Sequence, residues 1–128
     1  MTFGSSIKPE DMERYRAAAR RRAAARVLAP AEAAARAELL RRVRSVATTL
    51  KTRFGATRVI LFGSLAHGAW YAADSDVDLA VEGLSADEFW RAWSVAEAAL
   101  GVRRLDLIDL EAAGEPLRRA IEHHGVPL

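Results

Sequence analysis

The feature that most constrains the fold of this 128-residue chain is an apolar segment that runs directly into a Gly-Ser pair. Residues 57–62 read Thr-Arg-Val-Ile-Leu-Phe, a run typical of a buried strand, and Gly63-Ser64 follows at once. A second strand is predicted at residues 77–82, where Gly83 closes it. The two segments therefore predict neighbouring strands joined through a tight Gly-Ser turn.

Two aspartates stand at the start of the second predicted strand, in Ser75-Asp76-Val77-Asp78. Side chains at positions i and i+2 of a strand point to the same side, so Asp76 and Asp78 are expected on one face. Two carboxylates held close together are costly unless a cation lies between them. A Gly-Ser turn beside such a pair predicts a place for a phosphate and its metal ions, the pattern typical of nucleotidyl transfer.

Helical patterns surround these strands. A first, Ala/Arg-rich helix is predicted from Pro9 to about residue 28, and a second to about residue 53, with Gly55 as its stop. Pro30 either kinks the chain or begins the second helix. A third helix follows the N-cap Ser85, a third strand covers residues 103–110, and a last short helix covers about residues 116–122. The inner face of the third helix is predicted to consist of Phe89, Trp93, Ala96 and Leu100.

This order of elements, α-α-β-β-α-β-α, predicts an α+β (α/β-like) fold in which helices pack on a small mixed sheet. We expect residues 1–30 to form an N-terminal helical extension and residues 31–128 to form the main domain. On the third strand, alternation places Asp106 and Ile108 on one face and Asp109 on the other. Asp109 is expected to support a turn or a helix cap.

The charge of the chain is distributed unevenly. Residues 1–58 carry 14 Lys/Arg and 5 Asp/Glu, whereas residues 59–128 carry 5 and 12, so that the net charge is +9 in one part and −7 in the other. The basic arm either meets an acidic or polyanionic partner, mediates self-association into a homo-oligomer, or is only a solvated surface. Deleting residues 1–28 should lower the mass of a complex in light scattering if the arm binds. The absence of cysteine, of a signal-peptide pattern and of a membrane-spanning run predicts a cytoplasmic protein.

The motif Leu61-Phe62-Gly63-Ser64-x-Ala66-x-Gly68, followed by Ser75-Asp76-x-Asp78-Leu79 and a strand that bears Asp106, resembles the minimal nucleotidyltransferases of the polymerase-β superfamily. Within that superfamily it most resembles short bacterial antitoxins that act beside HEPN-domain toxins. The resemblance covers roughly residues 36–126. It implies a polymerase-β-type nucleotidyltransferase fold and metal-dependent transfer of a nucleoside monophosphate.

The resemblance also implies roles for individual residues. Asp76 and Asp78 would bridge two Mg²⁺ ions, and Asp106 would complete the metal site and take the proton of the attacking hydroxyl. Gly63 would let the backbone approach the triphosphate of ATP. Ser64 would begin a short helix whose free N–H groups attract anions, and its hydroxyl would bond a terminal phosphate oxygen. Mn²⁺ accepts the same oxygen ligands as Mg²⁺.

The chain departs from the family pattern at two points. Residues 65–75 separate Ser64 from Asp76, one residue more than is common, and the loop can absorb it. His67 stands where relatives usually have Arg or Lys. If His67 contacts the triphosphate, ATP binding should strengthen from about pH 8 to about pH 6 in the wild type but not in His67→Gln.

Three functions are compatible with these observations. The first is transfer of AMP from ATP to a tyrosine of a HEPN ribonuclease toxin, which silences the toxin. The second is a non-catalytic antitoxin that neutralises its partner by forming a complex. The third is nucleotidyl transfer to RNA or to a small molecule, and it ranks lowest because the basic arm lacks the interleaved aromatic residues of an RNA-binding module. Asp76→Asn separates the first two, because it removes catalysis and leaves binding intact.

Overall fold

The computed structural model describes Arg14 and residues 29–67, 76–101 and 104–128. Apart from Arg14, the predicted first helix and residues 1–28 of the predicted extension at residues 1–30 lie outside the described residues. So does the loop at residues 68–75, which contains the extra residue between Ser64 and Asp76.

Three α-helices, four strands and one turn of 3₁₀-helix make up the described chain. The predicted strands and the second, third and last predicted helices are all present, and a two-residue strand at the end was not predicted. In chain order the elements are α1 (Pro30–Phe54), β1 (Arg58–Phe62), the 3₁₀-helix (Leu65–His67), β2 (Val77–Glu82), α2 (Ala86–Leu100), β3 (Leu105–Asp109), α3 (Glu115–His124) and β4 (Val126–Pro127).

Helix α1 begins and ends at the residues that usually mark helix boundaries. Pro30 is its first residue, which resolves the alternative of a kink, and Glu32 lies in the positively polarised first turn. Gly55 adopts a left-handed conformation (φ +79°) and donates its N–H to the carbonyl of Leu50. The buried stripe recurs at three- and four-residue steps and consists of Leu39, Val43, Val46, Ala47, Leu50 and Phe54.

The four strands form one mixed sheet in the order β3-β2-β1-β4. Strand β1 is antiparallel to both β2 and β4, and β2 is parallel to β3. This confirms the predicted α+β fold with a small mixed sheet. Strand β4 escaped prediction because it is too short to show a period. Strand β4 lies at the edge of the sheet and depends on its pairing with β1. Proline is tolerated at an edge because its missing N–H costs no hydrogen bond to a further strand. The N–H of Leu128 donates a hydrogen bond of 2.9 Å to the carbonyl of Val59.

Helices cover both faces of the sheet. Helices α1 and α2 pack on the face that carries Val59, Leu61, Leu79 and Leu107. Helix α3 packs on the other face through Leu117 and Ile121, against Ile60, Phe62, Ala80 and Ile108. Alternation therefore places Asp78 and Asp106, which share a side with Ala80 and Ile108, on the α3 face of the sheet.

Helix α2 starts as predicted and packs slightly differently. Ser85 is the N-cap, and its side chain accepts a hydrogen bond from the N–H of Glu88 over 3.3 Å. Phe89, Ala96 and Leu100 are buried as expected. The prediction for Trp93 was only partly right, because Trp93 is half-buried and Ala92 occupies the fully buried position. The indole of Trp93 packs against the edge of the core and stacks on that of Trp90, with ring centroids 5.3 Å apart.

No helix in the described part of the chain is long and apolar enough to cross a membrane.

Candidate active site

The candidate site lies where β1 ends and β2 begins. Phe62, the last residue of β1, pairs with Asp78 near the start of β2, so Gly63 lies directly beside Asp78. Gly63 is buried and has a φ of +78°, a conformation that other L-residues rarely adopt. A Cβ atom on residue 63 would lie 2.2 Å from Oδ2 of Asp78. Only glycine can therefore occupy this position without displacing the carboxylate.

The register of the sheet brings the predicted aspartates together. Asp78 on β2 pairs with Asp106 on the parallel strand β3, so their side chains lie side by side on one face. Asp76 precedes β2 by one residue and is two positions from Asp78 along the chain. All three carboxylates are half-buried.

This proximity affects the electrostatics of Asp78. Burial, followed by the negative charges of Asp106 and Asp76, raises the pKa of Asp78 to about 7. The positive charges of Arg14 and Arg104 act in the opposite direction and offset only part of the increase. The fold therefore concentrates negative charge at this point to a degree that its own arginines do not neutralise.

Glu82, at the other end of β2 on the same face, shows how the fold satisfies a carboxylate for structural purposes. Arg58 makes two hydrogen bonds to it, of 3.1 and 3.0 Å, and Arg118 lies 3.4 Å away. The hydrogen bonds from Arg58 lower the pKa of Glu82. Arg58 also contacts Glu122 over 2.9 Å, so this cluster ties α3 to the sheet. Asp78 and Glu82 thus have opposite electrostatic environments on one strand face.

Arg104 is a site residue that the sequence analysis missed. Its Nε lies 4.0 Å from Oδ2 of Asp76, and both side chains are exposed enough for solvent to weaken the attraction. The signal was present in the sequence, because Arg104 stands two positions before Asp106 and strand alternation places both on one face. The charge of Arg14 also reaches Asp78, although Arg14 belongs to the basic arm and is distant in sequence.

The structure places the remaining predicted residues on the turn after Gly63. Ser64 is half-buried, and its carbonyl accepts a hydrogen bond from the N–H of His67 over 3.3 Å. His67 is exposed and ends the 3₁₀-helix Leu65–His67. Asp109, as predicted, supports a turn: its Oδ1 accepts a hydrogen bond from the N–H of Glu111 over 3.0 Å.

The donor chemistry of the three aspartates suits hard divalent cations, which prefer carboxylate oxygens and complete their shells with water or phosphate. The raised pKa of Asp78 points the same way, because burial and the charges of Asp106 and Asp76 all disfavour its ionised form, which a bound cation would stabilise. Within the described ranges, however, no group of three or more His, Cys, Asp or Glu side chains is arranged so that it could hold an ion by itself. Substrate phosphates would therefore have to supply further ligands.

Residues 44–128 match the family model described as "Polymerase beta, Nucleotidyltransferase". The chain belongs to this family. It is also similar to a solved structure described as "putative minimal nucleotidyltransferase", with 33% sequence identity and a TM-score of 0.60. That match covers 71% of this chain and 94% of the other. No curated protein sequence matches the chain.

Family membership agrees with the site's geometry. The matched region includes the Gly63-Ser64 turn and all three aspartates. The chain is thus a nucleotidyltransferase-type protein with the polymerase-β fold, as the sequence resemblance implied.

Proposed function

We propose that this protein transfers AMP from ATP to a hydroxyl group of a partner protein, a tyrosine of a HEPN ribonuclease toxin, and thereby acts as an antitoxin. One observation carries the catalytic part of this proposal. Gly63 packs against Asp78, with Asp106 beside Asp78 in register, so that a phosphate-binding turn and a set of carboxylates meet at the ends of adjacent strands. The match to nearly the whole of a minimal nucleotidyltransferase supports it.

Each residue of the site has a part in this reaction. Gly63, which has no side chain, leaves room for the triphosphate to approach the backbone, and the Ser64 hydroxyl donates a hydrogen bond to a terminal phosphate oxygen. Asp76, Asp78 and Asp106 would hold the divalent cations. Asp106 also accepts the proton of the attacking hydroxyl, whose oxygen forms a bond to the α-phosphorus while pyrophosphate leaves. His67, exposed at the end of the turn, adds a positive charge when it is protonated.

Divalent cations, when bound, neutralise charge on the phosphates and on the attacking and leaving oxygens. The three aspartates suit Mg²⁺ and Mn²⁺ equally in ligand type. Since phosphoryl transfer needs positioning and charge neutralisation more than covalent help, this small set of side chains is sufficient for the chemistry.

The decisive experiment measures the intact mass of the partner. The product of the adjacent gene is incubated with this protein, ATP and Mg²⁺, and its mass is determined before and after. We expect the mass of one or more AMP units to be added. Peptide mapping then identifies the acceptor, which we expect to be tyrosine.

Two variants serve as controls. Asp76→Asn should abolish the mass increase, because it removes a carboxylate from the site. Asp87→Asn makes the same chemical change at an exposed residue in the first turn of α2 and should leave the increase intact. An unmodified partner that still forms a stable complex would contradict the proposal and favour neutralisation by binding.

A further inference from the structure

The first two turns of α1 extend beyond the hydrophobic core. No residue from Pro30 to Glu38 is fully buried, and the first core residue of the helix is Leu39. This segment is joined to a distant part of the chain by Arg36, whose Nη2 donates a hydrogen bond of 2.7 Å to the carbonyl of Leu65. The extension of α1 therefore reaches the turn that begins at Gly63.

The position of Leu65 makes this contact relevant to the site. Leu65 follows Ser64 directly, is fully buried and begins the 3₁₀-helix. A short helix cannot satisfy all its own carbonyl groups, so a donor from another element fixes its orientation. The bond from Arg36 holds the backbone that immediately follows Gly63 and Ser64, and thereby the backbone that faces Asp78.

The guanidinium of Arg36 is not arranged for stability alone. Arg36 is half-buried, and among the described residues its buried Nε has no hydrogen-bond partner. A buried donor without a partner costs on the order of 1–3 kcal/mol, and such groups in native proteins call for a functional explanation. A purely structural link to the Leu65 carbonyl would be cheaper with a side chain that buries fewer polar atoms.

We propose that Arg36 is a positioning residue that holds the Gly63-Ser64 turn in the conformation that binds the triphosphate of the nucleotide. This inference rests on the proposed function, because it assumes that the turn binds a triphosphate. Arg36 acts through the carbonyl of Leu65 and keeps the Ser64 hydroxyl and the adjoining backbone aligned with the phosphates. Its own charge adds to the positive potential on that side of the turn.

The test is equilibrium binding of the α,β-methylene analogue of ATP in the presence of Mg²⁺, compared with binding of AMP. The analogue carries the full triphosphate and cannot be cleaved at the α–β bond. In Arg36→Met, which preserves most of the apolar stem, we expect binding of the analogue to weaken about tenfold and binding of AMP to remain unchanged. In Arg36→Lys, which keeps a charged donor, we expect most of the affinity to return.

Arg44→Met is the matched control, because Arg44 is exposed on the same helix. It should change neither affinity. Equal binding of the analogue to wild type and Arg36→Met, or an equal loss for the analogue and AMP, would overturn the positioning role and leave the proposed function standing. A wild-type protein that binds no triphosphate analogue at all would overturn both. Thermal melts show whether Arg36→Met is folded. If it is not, the test uses Arg36→Lys, for which the affinity for the analogue is divided by the affinity for AMP. The proposal requires this ratio to be at least about one-third of the wild-type ratio.

Discussion

Gly63 and Asp78 approach each other so closely that a single methyl group on residue 63 would lie 2.2 Å from the carboxylate oxygen Oδ2 of Asp78. The contact joins the end of β1 to the start of β2. A glycine is needed at position 63 for two reasons. Its backbone has a left-handed φ angle, and there is no room for a side chain beside Asp78. The contact also shows that the turn and the acid form one structural unit.

Gly63→Ala should therefore disable the site. The added methyl group forces the Asp78 carboxylate out of its position, and a displacement of about 1 Å can reduce a reaction rate on the order of a hundredfold. We expect AMP transfer to fall by about that factor, as measured by initial rates with saturating ATP and partner.

Gly55→Ala is the matched control for this change. Gly55 has nearly the same φ angle (+79°), but a Cβ there would meet no atom within 4 Å. It should cost on the order of 1 kcal/mol of stability through backbone strain and leave the rate unchanged. Equal loss of activity in both variants would show that strain alone, and not the contact with Asp78, is responsible.

Asp78→Asn should make the metal-free protein more stable at high pH. The pKa of Asp78 is about 7 in the folded state, above the ordinary aspartate value, so the unfolded state loses its proton first. Wild-type stability then falls as pH rises between about 4 and 7, and the loss is complete above that range. We expect Asp78→Asn to be more stable than the wild type at about pH 8, by on the order of 2 kcal/mol, and to lack this pH dependence in urea unfolding.

Glu82→Gln should have the opposite effect. Hydrogen bonds from Arg58 lower the pKa of Glu82, so its ionised form stabilises the folded state above the ordinary glutamate pKa, and this stability is lost as pH falls. We expect Glu82→Gln to lower the melting temperature at neutral pH, because Arg58 and Arg118 lose their shared carboxylate. A rise in melting temperature would contradict the assignment of this cluster as a structural link.

Protons and divalent cations should compete for Asp78. A cation requires the ionised carboxylate, whereas a pKa of about 7 leaves much of the metal-free protein protonated below neutrality. We expect Mg²⁺ to raise the melting temperature more at about pH 8 than at about pH 6. In Asp78→Asn, the larger Mg²⁺-induced increase in melting temperature at about pH 8 should be absent. A Mg²⁺-induced increase in the wild type that is independent of pH would argue against Asp78 as a ligand.

The contribution of His67 to triphosphate binding is best measured as the ratio of two affinities, that of the wild type and that of His67→Gln. Lowering the pH should protonate His67 and strengthen triphosphate binding, but it also protonates Asp78 and weakens metal binding. The affinity of wild type relative to His67→Gln for the uncleavable ATP analogue should therefore rise between about pH 8 and about pH 6, because the effect of Asp78 is common to both. A constant ratio would exclude His67 from the site.

The sequence by itself determined the three main strands, the helices around them and the family. These features depend on local signals: the alternation in β2 and β3, the apolar stripe of α1, and the breakers Gly55, Gly63 and Gly83. Alternation also predicted that Asp106 and Asp109 would face opposite sides of the sheet. Those local signals could not predict that Asp78 pairs with Asp106, because this pairing requires the parallel register of two strands that are separated by a helix.

Tertiary structure alone decided the features that join distant segments. The short strand β4 exists because β1 offers it an edge, and the packing of α2 places Ala92 rather than Trp93 at the fully buried position. The contact of Arg36 with Leu65 spans 29 positions. The physical reason is the same throughout. Propensity and periodicity depend on residues that are close together in the sequence. The pKa of Asp78 and the conformation of the Gly63-Ser64 turn beside it depend on atoms that only folding brings together.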